Sequence, residues 1–257
     1  MAQPSQRPAP REVEVLARRL VTPNMLRLTL GGAGMAGFPE GQDGGYVKLR
    51  LPPAPDSEKP QVRTYTIRAQ REGEIDVDFA LHGVDSGHAG PATRWAAQAQ
   101  LGDRIEIGGP GPAKPLPAGM DHYLIFGDMT SLPAISVNLE NLPRDAKGRA
   151  VIEIREEADR QDLDHPEGVA VEWLVNPDPG NEQAVLARAA RSLSWPSGSI
   201  YAWAASEFLT MQALRSYLRE DRDLGRDRLY ISSYWKCGLE EDAHKLVKRE
   251  DAELAGA

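Results

Sequence analysis

The hydrophobic period of this chain changes between Gly108 and Gly119, a stretch that opens Gly-Gly-Pro-Gly-Pro and adds two more prolines. Before it, short apolar runs recur between turn signals. Val13 to Leu20, Met25 to Leu30, Tyr46 to Leu51, Glu74 to Leu81 and Arg104 to Ile107 read as strands. Leu26, Leu28 and Leu30 keep a period of two, as do Ile75, Val77, Phe79 and Leu81. Closely spaced short strands predict a small antiparallel β-barrel. One helix, from Gly90 to Gln100, interrupts them. After the break the period lengthens. His122 to Phe126 is nearly continuous apolar sequence, as in a strand covered on both faces. Helices over Leu132–Asn141, Asn181–Arg191 and Glu207–Arg219 alternate with strands over Ala150–Ile154, Val169–Leu174, Ser199–Ala204 and Leu229–Trp235. Ser206 stands where a helix cap is expected. Such alternation predicts a parallel sheet, and a charged helix, Leu239 to Leu254, ends it. The expectation is two domains: an N-terminal antiparallel β-barrel over residues 11–117, then a C-terminal α/β parallel-sheet domain over residues 118–257 with an extended terminal helix. A proline-rich, disordered tail is expected over residues 1–10.

Composition removes several function classes. The 257 residues carry a net charge of −8, which leaves no overall electrostatic footprint for nucleic acid. An anionic ligand therefore needs a local basic site. The single cysteine, Cys237, excludes an internal disulfide and a cysteine-rich metal cluster, and a reducing, cytoplasmic compartment fits. No run of apolar residues reaches the length of a membrane span, and the N-terminus lacks the apolar core of a secretory signal. His82, His88, His122, His165 and His244 show no metal-ligand spacing, so no protein metal site is expected.

The stretch Arg63-Thr64-Tyr65-Thr66-Ile67-Arg68 reads as a strand with an unusual polar set. Alternate residues share a face, so Arg63 and Tyr65 point one way. Arginine meets a phosphate with paired hydrogen bonds. Tyrosine offers a flat surface to a flavin ring, and a threonine hydroxyl or amide suits the ring's polar edge. An edge strand with an exposed arginine carries the same residues. The second half of a diphosphate clamp is the helix start Gly90-Pro91-Ala92-Thr93: free N–H groups at a helix start attract phosphate, and Gly90 lets a ligand approach. An ordinary barrel-capping helix is the alternative there. A barrel followed by an open α/β domain suggests a flavin enzyme fed by a nicotinamide, with ligands beyond the C-terminal strand ends, at Gly127-Asp128 and Ala205-Ser206-Glu207. The usual GxGxxG fingerprint is absent.

In order, Arg63 to Thr66, His82-Gly83, Gly90 to Trp95, Gly127 to Ala134 and Ser232 to Lys236 resemble the siderophore-interacting proteins. These are FAD-containing ferric-siderophore reductases of the ferredoxin-reductase-like superfamily, and the likeness covers about residues 12–250. The resemblance implies that Arg63, Thr64, Tyr65 and Thr66 hold FAD, with His82 along it. It implies that Ala89, Gly90, Pro91, Ala92 and Thr93 take its pyrophosphate and that Trp235 closes over the flavin. Asp128, Thr130, Ser131, Ala205, Ser206 and Glu207 would then form the nicotinamide or donor side. Lys48, Lys245, Lys248 and Arg249 would attract an acidic ferric chelate. No side chain is expected to be catalytic, because the flavin carries the chemistry.

The implied function is reduction of Fe(III)-siderophore by FAD, itself reduced by NADH or NADPH, releasing Fe(II). Glu156, Glu157 and Asp159 follow the second strand of the α/β domain and would repel a 2′-phosphate, which favours NADH; Arg155 and Arg160 weaken that argument. A ferredoxin is the second candidate donor. A flavin-binding electron carrier, or a general flavin reductase without chelate specificity, is the alternative function. Cys237 lies near enough to Trp235 in sequence to approach the nicotinamide side, or to be a small turn residue.

Overall fold

In the computed structural model the described residues are 9–55, 57–83, 89–179, 185–239 and 241–254. Most of the expected N-terminal tail lies outside them. Two compact units are present, one ending at Ala113 and the other beginning at Lys114 and including Thr22–Met25.

The first unit is the expected barrel. β1 (Arg11–Thr22), β2 (Met25–Gly31), β3 (Tyr46–Pro53), β4 (Pro60–Arg71), β5 (Glu74–Ala80) and β6 (Arg104–Gly111) close in the order β1-β2-β5-β4-β3-β6. The alternating leucines, valines and isoleucines fill it: Leu26, Leu28, Leu30, Val47, Leu49, Ile67, Val77 and Phe79 are fully buried. β5 departs from simple alternation, because Asp76 and Asp78 are buried too. On the outer face Arg27 clasps Asp78 with two bonds of 2.6 and 2.8 Å, while Arg71 and Thr29 hold Asp76. Paired guanidinium groups thus cover a face that the apolar pattern leaves to solvent. The helix α1 (Pro91–Gln98) packs Ala92, Trp95 and Ala96 against the barrel core.

The second unit is a five-stranded parallel sheet, β11-β10-β7-β8-β9, made of β7 (His122–Asp128), β8 (Gly148–Ile154), β9 (Val169–Val175), β10 (Ile200–Glu207) and β11 (Leu229–Trp235). Its helices are α2 (Leu132–Glu140), α3 (Val185–Ser192), α4 (Phe208–Ser216) and α5 (Glu241–Leu254). The first four residues of the expected helix Asn181–Arg191 fall outside the described residues. Asn138 and Trp203 both donate to the Lys114 carbonyl, and the Tyr123 hydroxyl donates to that of Pro117. These bonds tie the Lys114–Pro117 segment to this sheet.

Two helix ends differ from expectation. Ser206 does not cap α4; its hydroxyl turns to the Glu207 carbonyl. Glu207 is the cap, accepting from the Leu209 and Thr210 amides. A longer acidic side chain at this position reaches the same N–H groups and adds a favourable charge at the positive helix end. At its other end, α4 passes into a wide turn over Tyr217–Asp221. The strand order makes β7 the point where the chain switches sides, with β8 on one flank and β10 on the other. In such sheets the crevice lies beyond the strands' carboxyl ends.

Candidate functional site

The candidate cofactor residues of the first unit lie on β4 and at the start of α1, with His82 beside the latter. Register pairs Tyr65 with Val47 and Arg63 with Leu49, so both lie on the core-facing side of the β3–β4 ladder. Arg63 is buried there, with one guanidinium N–H on the Val62 carbonyl at 3.0 Å. The Tyr65 ring, half-buried, lies 4.4 Å from that of Phe79, and Phe79 in turn meets Trp95 at 6.1 Å. This stack fixes the tyrosine plane from behind. Thr64 is exposed on the opposite face, and Thr66 is half-buried.

The start of α1 has the features of an anion site. Gly90 is its N-cap and supplies no side chain, Pro91 is the first helical residue, and the Arg94 amide makes the first intrahelical bond, to Gly90. The amides of Ala92 and Thr93 therefore have no intrahelical acceptor. A Cβ added at Gly90 would touch only the exposed His82 ring, at 3.7 Å, so the backbone is approachable there. The Thr93 hydroxyl stands 3.5 Å from His82 Nδ1, and Ala89 is buried just ahead of the helix. A cationic fork, a braced aromatic ring and an uncapped helix start suit the phosphate and ring of FAD. A shallow cavity of about 300 Å³ in this unit shares only Trp95 with these residues. Its arginines, Arg50 and Arg104, are already paired with Glu106, Glu12 and Glu14.

Lys48 is exposed on β3 opposite Thr64, on the other face of the ladder from Arg63 and Tyr65.

In the second unit the expected donor-side residues do meet, but as a buried network rather than a lining. Asp128, Ser131, Ala205, Ser206 and Glu207 are all buried. One Asp128 oxygen accepts from the Thr130 amide and hydroxyl at 2.9 and 2.5 Å. The other accepts from the Glu207 amide at 2.9 Å and the Trp235 indole at 2.8 Å. The Ser131 hydroxyl bonds the Asp128 backbone. Glu207 spends its second oxygen on the Cys237 amide, leaving the exposed thiol outside the network. Three strand ends are tied together through one carboxylate. Burial raises the Asp128 pKa, although the four donors oppose it.

Residue-by-residue reading of the sequence missed Glu153. It is the register partner of Asp128 on β8 and is buried. One oxygen accepts from Asn176 Nδ2 at 3.1 Å; the other has no hydrogen-bond partner among the described residues. Burial first, and the Asp128 charge second, push its pKa up to about 8. A lone acid inside the apolar run Ala150-Val151-Ile152-Glu153-Ile154 was the available signal.

The acids expected to read an adenine ribose are engaged elsewhere. Asp159, fully buried, accepts from the Thr22 hydroxyl and the Asn24 amide, and Glu156 accepts from the Asn24 side chain. Glu157 pairs with Arg160. Asp159 and Glu156 hold this turn, whereas Glu157 is exposed beside Arg160.

The basic residues of α5 separate. Lys245 and Arg249 are exposed, Arg249 beside Glu253. The Lys248 amine instead donates to the Ser232 hydroxyl and the Ser233 carbonyl, at 2.7 and 2.9 Å. With the His244–Ser233 contact and the Asp251–Arg215 pair, it docks α5.

Residues 120–238 match the model of the siderophore-interacting protein family, and residues 53–114 match the siderophore-interacting FAD-binding domain. The chain is 35% identical to a ferric vibriobactin reductase, ViuB, of Vibrio cholerae, across 95% of this chain and 96% of that one. It is 28% identical to an NADPH-dependent ferric-chelate reductase of Escherichia coli, across 88% and 92%. Among solved structures, the siderophore-interacting protein SipS from Aeromonas hydrophila superposes with a TM-score of 0.83 at 33% identity, covering 97% of this chain and all of that one.

Proposed function

From membership of the siderophore-interacting protein family, to which this chain belongs, we propose that it is an FAD-dependent ferric-siderophore reductase. The observation that carries this reading is the uncapped start of α1 in the same unit as the Arg63–Tyr65 ladder. A reductase needs a place for a dinucleotide flavin, and a simple chelate binder does not. Arg63 and the Ala92 and Thr93 amides bind the two phosphates. Tyr65, braced by Phe79, sets the plane of the ring, and Thr66 meets its polar edge. His82 and Thr93 flank the diphosphate. The chemistry that FAD supplies when bound is exchange between a two-electron donor and the one-electron acceptor Fe(III). The substrate iron leaves as Fe(II), which hard oxygen ligands hold less tightly.

The second unit is the donor side, with Trp235 oriented by Asp128. The named activity of the Escherichia coli relative supports a dihydronicotinamide donor. A ferredoxin is the second donor considered, and a cytoplasmic location accords with the lone, exposed thiol. No described helix is long and apolar enough to cross a membrane. Exposed Lys48, Lys245 and Arg249 supply local positive charge for an acidic chelate, against a chain of net charge −8. Lys248 serves docking instead. Because one of the four basic residues is so used, a flavin reductase without chelate specificity is the second reading.

The deciding experiment is anaerobic. FAD-loaded protein is mixed with NADH or NADPH and then with a ferric siderophore and an Fe(II) trap. A flavin band that bleaches and returns as Fe(II) appears is expected. Reduction of free flavin but not of ferric chelate favours the second reading; failure to bind FAD rejects both.

A further inference from the structure

At the two strand ends of the second unit where a dinucleotide's diphosphate would lie, most of the backbone amides already have acceptors within the protein. A helix start or strand-to-helix turn binds phosphate through amides that have no internal acceptor. Here the turn after β7 uses three of its own. The Thr130 amide donates to Asp128 Oδ1, that of Ser131 to the Asp128 carbonyl, and that of Asp128 to the Ser131 hydroxyl. Pro133 in the first turn of α2 has no N–H to offer. After β10 the pattern repeats: the Glu207 amide donates to Asp128 Oδ2, and those of Leu209 and Thr210 to Glu207 Oε2. Four of these six amides end on carboxylate oxygens of Asp128 and Glu207, which leaves them spent as donors to an arriving anion.

The glycine of this turn is likewise not an opening. A Cβ at Gly127 would fall 2.2 Å from the Ser131 hydroxyl and 2.6 Å from Ile135 Cδ1. Gly127 is there so that β7 and α2 pack closely. This contrasts with Gly90, where the added atom meets almost nothing. A third acid, Glu153, lies buried beside Asp128 with one oxygen unpartnered among the described residues.

We propose that Asp128 and Glu207 are specificity-determining residues that close these strand ends to the diphosphate of a dinucleotide donor. The inference rests on the reading of the second unit as the donor side. The dihydronicotinamide end then carries the recognition, and the adenosine diphosphate half adds little. The chain should accept NADH, NADPH and the reduced mononucleotide, which lacks the adenylate, with similar efficiency.

The test titrates the FAD-loaded full chain with ADP-ribose by calorimetry. A Kd weaker than about 1 mM is expected, and a tighter one overturns the proposal. In steady-state ferric-chelate reduction, the kcat/KM of NADH over that of the reduced mononucleotide should be below about tenfold; a larger preference also overturns it. If neither nicotinamide reduces the flavin while dithionite does, the dihydronicotinamide part of the proposed function fails. The ADP-ribose titration still decides the closure of the strand ends.

Discussion

Arg63 and Glu153 are both charged-type residues in strands, and burial gives them opposite uses. Arg63 is buried midway along the β3–β4 ladder, where its fork suits a phosphate. Arg63→Ala should weaken FAD binding by about 10- to 100-fold, the range of one charged hydrogen-bonded contact; fluorescence titration of the apoprotein with FAD measures it, and unchanged affinity removes Arg63 from the clamp. Glu153 holds a proton because burial and Asp128 oppose its ionisation. In the unfolded chain it ionises near pH 4.5, whereas in the fold it does so near pH 8. Stability from this group is therefore complete below about pH 4.5 and is lost as pH rises to about 8. Glu153→Gln should leave thermal stability unchanged at the acid end. It should add on the order of a few kcal/mol above pH 8. Melting curves at pH 5, 7 and 9 test this, and a difference independent of pH would remove the buried charge as its cause. Arg63 was legible in the sequence because of its neighbours. Glu153 was not, because a strand's sequence does not say which acid lies across from it.

Helix ends in the two units differ in which backbone amides they leave available. The start of α1 is left open, whereas that of α4 is closed by Glu207. Glu207→Ala should cost about 1–2 kcal/mol through loss of the cap, with a further loss at Cys237, and urea denaturation measures it. Helix α5 is held by polar contacts. Asp251 takes two bonds from Arg215 and one from Gln212, and these donors, Arg215 first, hold its carboxyl below the usual range despite partial burial. This support is present above the ordinary aspartate pKa and is lost as pH falls through the lowered one. Asp251→Asn should release α5 by about 1–3 kcal/mol, seen as faster hydrogen exchange in residues 241–254. Exchange rates equal to those of the unaltered chain would mean that the pair does not hold the helix. The helix itself was legible from its charged period, but its docking face was not. Lys248 looks like a solvent-facing lysine until Ser232 and Ser233 are brought beneath it.

For the whole molecule, a net charge of −8 opposes an acidic chelate at long range, so local cations must capture it. Lys48→Glu should raise the KM for an anionic ferric chelate by about three- to tenfold, with kcat and the flavin spectrum unchanged. An unaltered KM would place chelate capture elsewhere. What the sequence determined by itself is the architecture: period-two runs before Gly108, strand–helix alternation after Gly119, and residue sets near in sequence such as Arg63–Thr66 and Gly90–Thr93. These follow from local sterics and from which faces must leave water. Which polar groups remain available to a ligand depends instead on how the strands assemble. Asp128, Glu207 and Trp235 are far apart in sequence and meet only because β7, β10 and β11 lie side by side. Asp159 is satisfied by Thr22 and Asn24, more than a hundred residues away. A buried donor or acceptor must find a partner, and that partner is chosen by strand order, which no local pattern encodes.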